Sequence, residues 1–457
     1  MDRNKNIEVF RSAPIPKAVM KIVLPTMAVM LMMLIYNLAD TFFIGRTGND
    51  VLVAAVSLAT PVFLLFITVG TMFGVGGTSV ISRALGEGRH EYARKVSSFC
   101  MWSCIIVGIL LAGLFLALMN PILTLIGASA ETWQPAKTYL TIIAVSSPFI
   151  LISNCFSNLF RAEGQPGKAM AGQMLGNILN IILDPIMILT LKWGIAGAAI
   201  ATAIGNVAGV LFYTSFFLRG KSILSIHPHD FSARNGIWKS VLAIGTPASL
   251  GSLLMSLANI IINARIARYG DMALAGIGVA TKITMVTHLA GMGVGQGVQA
   301  LLGFCVGGKL WDRFKEAMRF SLLFALGLSL VLTGLCYAAT GGIVNAFLTE
   351  PASFDYAVNF THILLSTGIF FGVFYVLVHA LQAMGAAKDA LIINLSRQGI
   401  IYIPAIFILE AIAGLTGLVW AQPVADVIST ALVAVLFYRT QKRMAQPAHD
   451  AGGEIKA

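Results

Sequence analysis

Apolar runs long enough to cross a lipid bilayer recur from one end of this chain to the other, and no other feature restricts its fold as strongly. A helix needs about 20 mostly apolar residues to span the hydrocarbon core. Twelve such runs lie near 19–44, 51–80, 96–119, 137–160, 169–190, 194–218, 239–264, 273–303, 317–339, 357–383, 389–410 and 414–438. In lipid the backbone polar groups must bond within the segment, so runs of this length are helices. Only 11% of the 457 residues are charged and mean hydropathy is +0.83, whereas a soluble domain carries about 25% charged residues. A water-soluble enzyme, a disordered chain and a secreted disulfide scaffold are all excluded. The predicted fold class is an all-α polytopic membrane protein of twelve transmembrane helices.

The net charge of +11 invites a nucleic-acid reading, but its placement argues for a membrane. With both termini on one side, 24 of the 31 Lys and Arg fall on that side. Five (Arg46, Lys137, Lys192, Arg265 and Arg268) fall on the other, and Lys282 and Arg397 lie within spans. Basic residues concentrate in cytoplasmic loops, so both termini are predicted to be cytoplasmic in a multi-pass inner-membrane protein, with no nucleic-acid partner. The segment before the first span lacks a short apolar region ending in a small-residue cleavage site and reads as a retained cytoplasmic leader. Cys100, Cys104, Cys155, Cys305 and Cys336 sit in apolar stretches without CxxC or His/Cys metal spacing. They are expected as small core residues.

The two halves resemble each other at a shift of about 220 residues. Pro25 falls against Pro247, GEGRHEYARK (86–95) against GGKLWDRFKE (307–316), FRAEGQPGKA (160–169) against LQAMGAAKDA (381–390), and GIAGAAIA (194–201) against GLTGLVWA (414–421). Six spans per half give both halves the same orientation, so the pseudo-twofold axis runs along the membrane normal. The expected organisation is an N-terminal six-helix lobe (1–220), a basic cytoplasmic linker (221–238) and a C-terminal six-helix lobe (239–457). Two facing bundles with a site between them near the midplane suit alternating access.

Ionisable residues inside spans cost about 2.5–3.5 kcal/mol each on insertion scales and call for a reason. The first half holds Asp40 and Asp184. Gln173, Asn177, Asn180 and Asp184 share one face of the fifth span at steps of 4, 3 and 4, and Met33, Tyr36, Asn37 and Asp40 do so on the first. Thr202 and Asn206 pair on the sixth span, Asn154 and Asn158 on the fourth. Two carboxylates among amide and hydroxyl oxygens suit a proton or Na⁺; the amides alone also suit helix-bridging hydrogen bonds. The second half carries Asn259, Asn263, Lys282, His288, His379, Arg397 and Asp426. For Lys282 and Arg397 the options are pairing with Asp426 or Glu410, or snorkelling to an interface. His288 and His379 are expected as satisfied core histidines. GMGVGQG (291–297), with Gln296, follows a span rather than a strand, so its glycines read as sites of close packing or unwinding. With no Walker loop, no cofactor and no catalytic constellation, the chain is expected to be driven by an ion gradient and not to be an enzyme. Met33, Met174 and Met255 share spans with polar stripes and suit a cavity for varied apolar cations.

NLADTFFIGRTG (37–48), PVFLLFITVGTMFGVGGTSVISRALGEG (61–88), RAEGQPGKA and NILNIILDPIMI (177–188) resemble the multidrug and toxic compound extrusion (MATE) family over almost the whole chain, in its DinF/MepA-like branch. The resemblance implies two six-helix lobes around a cleft, exporting organic cations or drugs in exchange for H⁺ or Na⁺ as a functional monomer. It places the coupling site on Asp40, Asn180, Asp184 and Thr202, with Tyr36 close by and Na⁺ the only metal to consider. By the same resemblance the drug cavity draws on Asn154, Asn158 and Asn177. Met33, Asn37, Gln173, Asn259, Asn263, Lys282, Gln296 and Arg397 are further cavity candidates on their spans. The acidic residues of the NorM-type branch in the seventh and tenth spans are replaced here by Asn259, Asn263 and His379, which favours coupling through the first lobe alone. A flippase for a lipid-linked saccharide, from the same superfamily, is the alternative; it would need cationic cavity residues, for which Lys282 and Arg397 are the candidates.

Overall fold

The computed structural model describes residues 3–234, 236–348 and 350–445; the side chains of residues 3–7, Asn37, Thr41, Asp50 and Ala445 lie outside that description. The described chain is helical, with no strand among those residues. A short α1 (Arg3–Ser12) precedes α2 (Ile15–Gly45), α3 (Asp50–Gly86), α4 (His90–Ala117), α5 (Met119–Leu125), α6 (Trp133–Ala162), α7 (Pro166–Asp184) and α8 (Gly194–Leu218). The second half supplies α9 (Ile237–Ile266), α10 (Asp271–Gly307), α11 (Trp311–Phe347), α12 (Pro351–Leu365), α13 (Gly368–Ala383), α14 (Ala387–Leu395) and α15 (Ile403–Ala445).

Ten of these stretches are long and apolar enough to cross a membrane, and the bent pair α12 and α13, at 45°, makes an eleventh. The last stretch, Ala387–Met444, has 58 residues. As one helix it would be about 87 Å long, nearly three times the ~30 Å hydrocarbon core. Gly414 divides it, with φ 59° and ψ −135° inside α15, a conformation that glycine alone reaches without a steric penalty. A Cβ on Gly417 would collide with the Leu409 carbonyl, so the chain folds back closely there. Two spans result, near the expected 389–410 and 414–438, and the total is twelve.

Among the described residues each half contains one π-helical segment, and both lie in the fifth span of their half: Pro185–Thr190 after α7, and Ser396–Tyr402 between α14 and α15. Proline has no N–H to donate, so Pro185 cannot continue the α-helical ladder, and the wider turn begins at that residue. π-helical segments are rare and concentrate at functional sites. One abuts Asp184 and the other contains Arg397.

The lobes meet through α2 and α3 on one side and α9 and α10 on the other. α2 packs on α10 and its repeat equivalent α9 packs on α3, while the α3–α10 contact is its own equivalent. This reciprocity is the pseudo-twofold axis. Backbones touch where glycine allows it. A Cβ on Gly76 would strike the Val241 carbonyl, and one on Gly245 the Met72 carbonyl; Gly86 and Gly307 stand in the same way against Phe304 and Arg83. All four lie toward the end that carries α1 and the 219–236 connection, here called the basic end. At the far end Gly45, Gly270 and Gly278 have no described atom within 4 Å of an added Cβ. The closest backbone contacts between the lobes thus lie toward the basic end.

The connection is strapped to the first lobe. Ser97 Oγ donates to the Ser225 carbonyl at 2.8 Å, Ser98 Oγ to the His227 carbonyl at 2.8 Å, and Trp102 Nε1 to the Ile226 carbonyl at 3.2 Å. From the second lobe Arg313 reaches α1, donating to the carbonyls of Phe10 at 2.6 Å and Ala13 at 2.6 Å. All five cysteines are free; Cys100, Cys104 and Cys155 are fully buried in the core of the first lobe.

Candidate functional site

Asp184 ends α7 fully buried, and Asn180 and Thr202 beside it are 2% and 3% exposed. Asn180 stands one turn before Asp184, and Thr202 faces it from α8. With the Asn180 amide turned to satisfy its neighbours, its nitrogen donates to Asp184 Oδ2 at 3.0 Å and its oxygen accepts from Thr202 Oγ1 at 3.2 Å. The other carboxylate oxygen, Oδ1, is buried without a hydrogen-bond partner among the described residues. Asp40 on α2 is in the same position, with Oδ1 buried and unpartnered among those residues. The two carboxylates are near enough to repel, and Tyr36 lies within reach of both and of the Thr202 hydroxyl.

No described cation balances this pair. Two carboxylates that share a low-dielectric pocket cannot both stay ionised without a counter-charge. Each has a free lone pair, and an amide and two hydroxyls supply neutral ligands. The pocket thus has the donor set for a proton or a small hard cation.

Tyr139 on α6, 4% exposed, lies within electrostatic range of Asp40, Tyr36 and Asp184. Its position in the sequence gave no sign of this. It stands near the start of its span, four turns before the Asn154/Asn158 pair that marked the helix as polar.

The second lobe places its charges differently. Arg397 Nε and Nη2 donate to Asp426 Oδ1 at 3.1 and 2.9 Å, with side chains only 6% and 3% exposed. Gln422 Nε2 donates to the same oxygen at 2.9 Å. Arg397 Nη1 reaches the Tyr375 hydroxyl at 3.3 Å, and that hydroxyl meets His288 Nε2 at 2.6 Å. The guanidinium also lies 4.4 Å from the Phe374 ring centroid. Of the partners open to Arg397 in the sequence, the structure selects Asp426. Glu410 goes to Arg265, with Oε2 accepting from Nε at 2.7 Å. His379 Nδ1 meets Gln299 Oε1 at 3.2 Å, so both core histidines have partners.

Where α2, α7 and α10 converge, Met30 and Leu289 form a small core with Met170, Met285 and Met292 around it. Gln173 and Gln296 stand one turn beyond Met170 and Met292, and each has a buried, unpartnered Oε1 among the described residues. Asn259, Asn263, Met255 and Lys282 are exposed on α9 and α10. Amides and ammonium groups at membrane depth belong in protein or a wet cavity, not against lipid. Their exposure places this part of α9 and α10 against water and not lipid.

Asn154 and Asn158 do not share that setting. Asn158 is 8% exposed, accepts from Arg161 Nη2 at 2.6 Å and lies against Gly74. Asn154 is half-buried and returns a hydrogen bond to its own helix, at the Ile150 carbonyl, 3.0 Å away. Asn177, Met33 and Met174 are half-buried on α7 and α2; the Asn37 side chain lies outside the described residues.

Comparison with known proteins closes the question of family. The sequence model of the MatE family matches the chain twice, over residues 25–186 and 247–408. The chain belongs to the MatE family. The two matches are offset by 222 residues at both ends and fall one in each half, as the internal repeat requires. The MatE chain is 31% identical to the multidrug export protein MepA of Staphylococcus haemolyticus strain JCSC1435, with 97% of each chain covered. It is 30% identical to MepA of Staphylococcus aureus strain NCTC 8325 / PS 47, covering 97% of this chain and 98% of that one. Among solved structures it superposes on an outward-facing multidrug resistance MATE family transporter with a TM-score of 0.91 at 24% identity, covering 96% of this chain and 98% of the other. The fold is therefore the MATE fold of two six-helix lobes.

Proposed function

We propose that this MatE protein is a cation-coupled multidrug antiporter. It exports organic, often cationic, compounds by alternating access, in exchange for H⁺ or Na⁺. One observation carries the reading: Asp40 and Asp184, from separate spans, share a pocket in which each keeps a buried, unpartnered oxygen. The names of the similar MepA proteins, multidrug export proteins, agree with it, and the charge asymmetry of the loops supports a cytoplasmic-membrane location with both termini inside. In that orientation the exposed polar residues of α9 and α10 lie on the outer side of the cleft. The methionine-rich floor between α2, α7 and α10 supplies adaptable apolar contacts for varied substrates. Binding of H⁺ or Na⁺ at the carboxylates favours one arrangement of the lobes and the drug favours the other; exchange requires this difference in affinity. The protein acts as a monomer and performs no chemistry on its cargo.

The flippase alternative needs free cationic groups in the cavity. Arg397 is bound to Asp426, which leaves Lys282 alone, and the reading is not favoured.

The test is ethidium efflux in proteoliposomes, with a pH gradient and a Na⁺ gradient imposed separately, for wild type and Asp184→Asn. Efflux driven by one gradient and absent from a well-folded mutant is the expected result and identifies the ion. Wild-type efflux in the mutant overturns the mechanism.

A further inference from the structure

A groove of about 490 Å³ opens between α9 and α14 at the basic end, far from the carboxylate pocket. Its mouth holds Trp238, Lys239 and Lys388; its walls are Leu242, Pro247, Leu250 and Leu391. Its lining side chains come from α9 and α14 of the second lobe, and Thr246 at its edge touches Met72 Sδ of the first lobe at 3.9 Å. The helices touch at Gly251 and Asn394, where an added Cβ would stand 2.7 Å from the Asn394 Oδ1, and they splay apart toward the basic end. From Trp238 to Leu250 the wedge runs about 18 Å along α9, close to the depth of one leaflet of a ~30 Å core.

The mouth is electrostatically unusual. Lys239 and Lys388 lie in the first turns of α9 and α14, where the helix macrodipole disfavours a cation. Neither helix start is capped by a side-chain hydrogen bond. The first turn of α9 has no acidic residue, and in that of α14 the Asp389 Oδ2 accepts from Thr440 Oγ1 at 2.5 Å. Both lysines are exposed, and neither has an ion-pair partner among the described residues. Lys239 rests over the ring of Trp238, 5.5 Å from its centroid, and exposed tryptophan is the side chain that anchors at a headgroup interface. Two unpaired ammonium groups, two uncapped helix N-termini and an apolar wedge one leaflet deep converge on a single place.

We infer that this groove is a binding site for an anionic phospholipid, with the phosphate held between Lys239 and Lys388 and one acyl chain along Leu242, Pro247, Leu250 and Leu391. Basic pockets between spans on the cytoplasmic side hold anionic headgroups by the same physics. The lipid braces α9 beside its contact with the first lobe, where Gly245 stands against the Met72 carbonyl and the groove-lining Thr246 lies 3.9 Å from Met72 Sδ. The inference rests on the fold and the orientation, and not on which ion or drug is carried.

The experiment uses the full-length protein in detergent, titrated with phosphatidylglycerol, with phosphatidylcholine of the same chains, or with inorganic phosphate, and reads lipid retention by native mass spectrometry. Wild type should retain one phosphatidylglycerol that phosphate does not displace, and bind phosphatidylcholine at least tenfold more weakly. Lys239→Gln with Lys388→Gln should weaken the glycerolipid about thirtyfold, since each lysine near a headgroup contributes roughly one decade or less. Both positions are exposed, so the lipid-free thermal midpoint should not move. Leu242→Trp, which fills the wedge and leaves the charges in place, should expel the lipid as well. Equal retention by the lysine variant, equal binding of phosphatidylcholine, displacement by phosphate, or retention in Leu242→Trp would each overturn the assignment.

Discussion

The fifth span of each lobe is interrupted by a π-helical turn, and at each turn an ionisable side chain faces inward. In the first lobe that side chain is Asp184, with a second acid nearby and no described counter-ion. In the second it is Arg397, bound to Asp426 and stacked on Phe374. Asp426 Oδ2, like one oxygen of each first-lobe acid, is buried without a hydrogen-bond partner among the described residues, so the difference lies in the counter-charge: the second lobe supplies one and the first does not. A charge met by its partner is mortar between helices. An acid pair left unmet is a site whose occupancy must change, because a buried charge without compensation is neutralised by a proton or an ion. On the function proposed above, coupling belongs to the first lobe and bracing to the second.

The largest effect expected from that division is on transport. Asp184→Asn should reduce gradient-driven ethidium efflux to the level of empty vesicles, while the thermal midpoint in detergent stays the same or rises, because one repelling charge is gone. A mutant that is inactive only because it is unstable would remove the distinction between the lobes.

Arg397→Met should give the opposite pattern. Removing one partner of a buried pair leaves Asp426 uncompensated, at a cost of about 3–5 kcal/mol. Adding Asp426→Leu should restore most of the lost thermal stability, and the double mutant should still couple efflux to the same ion. Loss of coupling in a stable double mutant would move part of the ion pathway into the second lobe.

Glu163 is the intermediate case, a fully buried acid held by neutral hydrogen-bond donors, with Lys168 as a weaker electrostatic contributor. Its Oε2 accepts from Ser222 Oγ at 2.6 Å and its Oε1 from the Ile223 N–H at 2.5 Å, which fastens the connection between the lobes. Burial raises its carboxyl to about 6. A raised acid contributes stability in full below its unfolded value near 4.5, and that contribution is lost as pH climbs through 6. Thermal midpoints should therefore fall between pH 4.5 and pH 6 by the equivalent of about 2 kcal/mol, and Glu163→Gln should flatten that slope. Glu163→Ala, which orphans the Ser222 and Ile223 donors, should cost about 1–3 kcal/mol.

The smallest effect belongs to Arg265 and Glu410, whose side chains are 27% and 10% exposed at the far end of the second lobe. Glu410→Gln should lower stability by at most about 1 kcal/mol and leave efflux unchanged. A large efflux defect there would show that bracing and coupling are not separated by lobe.

Much of this was legible in the residues alone. The spans follow from hydropathy, since the bilayer sets a length that a helix must meet. The repeat follows from Pro25 against Pro247 and the matching loops. The shared face of Gln173, Asn177, Asn180 and Asp184 follows from helical periodicity, and Pro185 announced a break in the ladder. Asn158 was less legible: spacing set it beside Asn154 on one face, but nothing in spacing says that Arg161 occupies it.

What the sequence by itself determined is what depends on one helix at a time: which stretches are long and apolar enough to span, and which face of each is polar. What only the tertiary structure decided depends on pairs of helices. It chose Asp426 over Glu410 for Arg397, set Tyr139 within electrostatic range of the carboxylates, put the closest lobe contacts toward the basic end, and opened a groove between α9 and α14. The reason is physical. Periodicity fixes the direction of a side chain about its own axis, but the neighbour it meets is set by how helices cross, and that is fixed by close packing at residues such as Gly76 and Gly245.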